Sequence, residues 1–222
     1  MTMPGPVFLT EIGTRLAISD RARAMIGFGS TGARERQVAY EEHLFPHPDD
    51  DRFQEAMADA MYSCGLHARS CLYEARVGAP ELGAPYHRSA GAILAWLETV
   101  ARRMNGFRSL LTAKDVAALS PDLDFGDVIV VGETGPTHVI VIVERLDNGD
   151  FVTSEGGQPE SGTHKDGTGS EKGMGIKSRV MRIRKTAAGR LQTGTVNADG
   201  SVTWGRLVLS AISAKYLVRT DE

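Results

Sequence analysis

Cysteine is nearly absent from this chain of 222 residues, which holds only Cys64 and Cys71. Two thiols are too few for a disulfide framework. On one continuous helix these two would share a face but stand about 10 Å apart along the axis. A disulfide needs Cα atoms within about 7 Å, so no internal bridge is expected. Long apolar stretches are missing too. No run of about 18 apolar residues occurs, which excludes an ordinary transmembrane helix. Charge of one sign is also lacking. The 25 Lys and Arg against 28 Asp and Glu give a net charge of −3, with no bulk attraction for nucleic acid or an anionic membrane. Nor is there the basic bias that would favour an anionic cell wall. The start, Met1 to Thr10, has neither a basic n-region nor a long apolar segment, so no secretory signal is expected and synthesis is placed in the cytoplasm. The six histidines are scattered and the cysteines are not in CxxC spacing, so no zinc pattern is expected. Gly167 to Gly173 is glycine-rich, but it lacks the Gly-Lys-Ser/Thr ending of a phosphate loop. Neither a metal nor a cofactor is expected.

What is present is an ordinary globular composition, 41% hydrophobic and 24% charged, of a length that suits one large domain. Residues 1–18 read as an N-terminal arm and 19–222 as a single domain, helical to about 121 and β from about 125. Ser19-Asp20 predicts a helix through Ile26, and Ala33 to Leu44 a second, stopped before Pro46. Phe53, Met57, Ala60 and Met61 recur at helical spacing. Ser63-Cys64-Gly65 interrupts that pattern and Leu66 to Ala75 resumes it, which suggests a kink or a new helix start at Cys64. Ala90 to Met104 is amphipathic, and Ala113 to Leu119 is a short helix. Past residue 125 the chain turns β-branched: Asp127 to Val131, His138 to Val143 and, across Asp147-Asn148-Gly149-Asp150, Phe151 to Ser154. Gly156 to Gly175 reads as a long loop flanking a site. Ile176 to Arg184 is a strand, Leu191 to Val196 and Val202 to Trp204 a second hairpin, and Leu207 to Tyr216 a final helix. Helices followed by antiparallel strands predict an α+β domain.

Cys64 and His138 are the candidate reactive pair. A thiol at a helix N-terminus feels the positive end of the helix dipole and ionises more easily. An imidazole at the mouth of a rigid strand can serve as its general base. Taken singly, Cys64 is as readily a buried structural cysteine, and His138 a surface residue at a strand start. Gly65 permits close backbone approach beside the thiol, and the Cys64 N–H is a candidate oxyanion donor. His67, three residues on, is the one rival base, but a helical side chain does not easily aim back past its own helix start. Cys71 reads as structural. A third residue should orient the imidazole: Glu155 is preferred, with Gln158 as the alternative. Tyr40 and Tyr62 are both candidate side-chain oxyanion donors, and spacing does not choose between them.

Ser63-Cys64-Gly65-Leu66 followed by Arg76-Val77-Gly78, Phe125-Gly126-Asp127-Val128-Ile129, Thr137-His138-Val139 and Ser154-Glu155-Gly156-Gly157 together resemble the motifs of NlpC/P60 and CHAP cysteine amidases and peptidases. Ser63 departs from the Asp or Trp common before the nucleophile, and the Asn of the third motif is missing. The resemblance implies a papain-like fold, with the nucleophile at a helix start packed on a C-terminal antiparallel sheet. It implies Cys64 as nucleophile, His138 as base, Glu155 as orienting residue, and amide bonds of peptidoglycan peptides as substrate. Dedicated export, release on lysis or carriage in a virion would bring such an enzyme to a wall, with delivery machinery or virion proteins as its partners. A structural or binding module on the same fold, or an amidase with another substrate, are the competing readings.

Overall fold

The computed structural model describes residues 11–30, 33–44, 63–74, 107–109, 123–159 and 174–216. The helices expected at 53–61, 90–104 and 113–119, Tyr62, and most of the glycine-rich loop lie outside these residues. Three α-helices fall within them: α1 (Glu11–Ala24), α2 (Arg34–Leu44) and α3 (Ser63–Glu74). The strands are β1 (Phe107–Ser109), β2 (Val128–Gly132), β3 (Pro136–Arg145), β4 (Phe151–Pro159), β5 (Met174–Lys185), β6 (Leu191–Val196) and β7 (Val202–Ile212), followed by a 3-10 turn at Ala214–Tyr216.

Strands β2 to β7 form an antiparallel barrel. Their order is β7-β2-β3-β4-β5-β6, and β6 pairs back onto β7 to close the ring, with β1 added alongside the end of β7. This corrects the expected papain-like α+β layering: the molecule is a closed six-stranded barrel with three short helices among the described residues, not a helical half packed on an open sheet. The physical reason lies in β7. Leu207 to Ile212 was expected to be helical, but it runs as strand and is long enough to pair with β6 at one end and β2 at the other. A helix there would leave the backbone of both neighbours unpaired, at a cost that ladder formation avoids.

Two apolar layers explain why β2 and β3 read as unbroken hydrophobic runs. Ile129, Val131, Ile140, Ile142, Phe151, Met181 and Val208 fill the barrel interior. Val128, Val139, Val141 and Val143 point outward and pack beneath the helices with Ile18, Ala22, Leu66, Cys71 and Leu72. A strand buried on both faces loses its alternation. Each such side chain stabilises the fold by roughly 1.5–3 kcal/mol when fully buried.

Other boundaries also shift. α1 begins at Glu11 rather than near Ser19. β4 runs on to Pro159, so Glu155, Gly156, Gly157 and Gln158 belong to a strand with a bulge, not to the start of a loop. Gly126-Asp127 proves to be a latch. Buried Asp127 accepts from Arg15 Nη1 at 2.7 Å and from the Ala214 N–H at 2.8 Å, tying α1 and the end of β7 to the barrel. Burial pushes its carboxyl up to about 6 against the pull of Arg15. Gly126 has φ +82°, and a Cβ there would come within 2.8 Å of the Arg15 backbone. Only glycine allows α1 this close.

Candidate active site at the barrel mouth

The interior-facing positions of β3, β4 and β5 continue past the apolar core to one open end of the barrel, in the order Ile142-Ile140-His138, Phe151-Thr153-Glu155 and Ile183-Met181-Arg179. The period of two along each strand therefore turns His138, Glu155 and Arg179 inward near the mouth, in diagonal contact across the ladder, since Arg179 pairs with Thr153 and Glu155 with Lys177. Helix α3 delivers Cys64 to the same place in its first turn. All four line one pocket of about 500 Å³, together with Val131, Gln158, Thr193, Thr195 and Arg206.

The contacts form a line. Cys64, 4% exposed, sits beside His138 in the pocket, close enough for the imidazole to act on its thiol. His138 Nε2 lies 3.0 Å from Glu155 Oε2, and Thr153 donates its hydroxyl to Glu155 Oε1 at 3.0 Å. Arg179 Nε stands 3.9 Å from Glu155 Oε2. With Nε2 committed to the carboxylate, Nδ1 is the nitrogen left to serve the thiol. The Gln158 side-chain amide also abuts His138 Nε2, at 3.2 Å, and accepts a hydrogen bond from Arg179 Nη2. Both residues proposed as orienter thus reach the same nitrogen. Glu155 is buried at 4% exposure, because β4 continues past it and the alternation from Phe151 and Thr153 points its side chain inward.

The electrostatics follow from these contacts. Burial acts to raise the Cys64 thiol, but the hydrogen bond and charge of His138, with the N–H groups of Val139 and Gly65, outweigh it and bring the thiol below its ordinary value. For His138 burial acts downward. Its hydrogen bonds to Cys64 and Glu155 and their charges prevail and raise it to about 9. Glu155 is held below the usual carboxylate range, its burial overcome first by the His138 hydrogen bond and then by the charges of His138 and Arg179. The three shifts work in one sense, favouring the thiolate of Cys64, the imidazolium of His138 and the carboxylate of Glu155.

His67 does not reach this site as a base. It is wholly buried on the far side of α3, with Nδ1 2.7 Å from His43 Nε2 and Nε2 2.9 Å from Ser154 Oγ. Cys71 is buried beside it and is free, as is Cys64. His43, His67 and Cys71 bring their ligating atoms within 4.8 Å of one another, a spacing a metal could use. The proton arrangement opposes ligation. Arg21 Nε donates to His43 Nδ1 at 3.1 Å, which puts the His43 proton on Nε2. His43 then donates to His67, His67 to Ser154, and Ser154 to the Ala22 carbonyl at 3.0 Å. Burial first, then neighbouring positive charge, holds His43 well below its ordinary value and His67 at about 3. Both rings are therefore neutral members of a one-way chain that pins α2 and α3 to β4. A metal on His43 Nε2 would move its proton to Nδ1, against a guanidinium donor. No local pattern reports this chain, because the partners of His67 lie 24 and 87 residues away.

Tyr40 sits in the core on α2 and does not line the pocket. No described helix is long and apolar enough to cross a membrane. No protein-family model, curated protein or solved structure matches the chain.

Proposed function

We propose that the protein is a cysteine hydrolase of amide bonds, with Cys64 as nucleophile, His138 as base and then acid, and Glu155 as the residue that orients His138. The observation that carries this reading is the juxtaposition of Cys64 with His138, whose Nε2 lies 3.0 Å from Glu155 Oε2, in one pocket at the barrel mouth. The Cys64 thiolate attacks the substrate carbonyl carbon, and the carbonyl oxygen becomes the oxyanion. The Cys64 backbone N–H, in the first turn of α3, has no partner within the helix and is placed to receive that charge. The imidazolium of His138 gives its proton to the leaving nitrogen as the C–N bond breaks, leaving a thioester on Cys64. Neutral His138 then takes a proton from water, the hydroxide adds to the thioester, and the acid departs as the thiolate is restored. Glu155 stabilises the imidazolium and holds the ring while this happens.

Peptidoglycan peptides are the substrate to which the motif resemblance points, and they are the first to test. Mass spectrometry of purified peptidoglycan fragments after incubation should show new cleavage products with the wild type and none with Cys64→Ala. Products that persist with Cys64→Ala would remove Cys64 from the chemistry. Intact fragments in both samples would exclude the wall as substrate.

A further inference from the structure

Two arginines line the pocket that holds Cys64. Arg179 enters it from β5 and Arg206 from β7, and Glu155 is the sole acid among its described lining residues. That carboxylate is buried and committed to His138 and Thr153. Arg179 is partly engaged with Glu155 and Gln158 yet keeps 41% of its side chain exposed. Arg206 is exposed, and its guanidinium makes no hydrogen bond or ion pair among the described residues. In the closed order β7-β2-β3-β4-β5-β6, β7 lies three strands from β4 in either direction. Arg206 therefore stands on the wall opposite Glu155, across the mouth from the reactive line. The β6 wall beside Arg206 carries only Thr193, Gly194 and Thr195 into the pocket, with no large side chain among them.

Resting on the hydrolase reading above, we propose that this site selects amide substrates that bear a carboxylate on the portion reaching across the mouth, and that Arg206 is the residue that binds it. A planar guanidinium matches a carboxylate with two parallel N–H···O bonds. Arg179, tied to Glu155 and Gln158, adds charge behind it.

The test is alkylation of Cys64 by two reagents of equal length. Each is an iodoacetamide carrying on its nitrogen a four-carbon chain, ended in one by a carboxylate and in the other by a carboxamide. Rates are read by peptide mapping at pH 7 in low salt, with glutathione as the reference thiol. The acidic reagent should react with Cys64 about 10-fold or more faster than the neutral one, relative to their ratio with glutathione. Arg206→Gln should bring that ratio down to the glutathione value. Arg206→Lys should restore part of the preference. A wild-type ratio equal to that of glutathione, or one that survives Arg206→Gln, overturns the carboxylate assignment and leaves the hydrolase reading standing. If both reagents label Cys64 no faster than an ordinary thiol, the hydrolase reading fails and the substrate assignment falls with it.

Discussion

Removing the Glu155 carboxylate takes away the group that holds His138 Nε2 and helps raise its pKa. Glu155→Ala should lower turnover by roughly 10-fold or more. The sign of the pH effect follows from the contacts. The imidazolium is the leaving-group acid, and the His138 value of about 9 is sustained by Cys64 and then by Glu155. Activity of the wild type should therefore decline as pH rises through about 9, and in Glu155→Ala the decline should begin at lower pH. Because Glu155 is buried and accepts from Thr153, the variant should also lose about 1–3 kcal/mol in urea unfolding, the range for a buried polar partner left unmatched. Gln158→Ala should leave the alkaline limb in place. If it moves that limb and Glu155→Ala does not, the orienting role belongs to Gln158. At this scale much was legible in the sequence: a thiol at a helix start, a histidine at a strand mouth, and two candidate orienters. The burial of Glu155 was not, because Gly156-Gly157 reads as a loop signal while the chain in fact stays in the ladder through a bulge.

Among the elements, α3 is fixed from behind by the chain Arg21–His43–His67–Ser154, and α1 by the buried pair of Arg15 and Asp127. His67→Phe removes one donor and one acceptor and leaves His43 and Ser154 facing an apolar ring. It should cost about 2 kcal/mol or more, measured by urea unfolding. It should also slow Cys64 alkylation, since the same helix carries both residues. Arg15→Met strands the Asp127 carboxylate in the interior and should destabilise by about 3–5 kcal/mol at pH 8. Its effect should shrink at pH 5, where Asp127, already raised to about 6, can take a proton. An equal loss at both pH values would mean that Asp127 is not the charge Arg15 compensates. The hairpin turns were readable in the sequence because Gly149 and Gly200, both at positive φ, follow Asn or Asp in turn clusters. The latch was not, since Arg15 and Asp127 are 112 residues apart.

For the whole molecule, closure of the barrel makes one mouth, and the mouth makes the site. Every strand from β2 to β7 contributes a residue to the pocket, so the functional surface exists only when β7 joins β2 to β6. Local patterns identified most strands, yet closure depends on pairings such as Ile129 with Ala211 and Gln192 with Leu207, which no local signal reports. Leu207 to Ile212 carries residues that also suit a helix, and tertiary pairing decides the matter. The central claim is that this mouth holds a thiolate–imidazolium pair. The direct measurement is the rate of iodoacetamide labelling of Cys64 against pH, read beside Cys71 by peptide mapping. Cys64 should already be labelled at pH 6 while buried Cys71 is not, and His138→Ala should abolish labelling at that pH. A Cys64 rate that rises only near pH 9, as for an ordinary thiol, and that is indifferent to His138→Ala would contradict it.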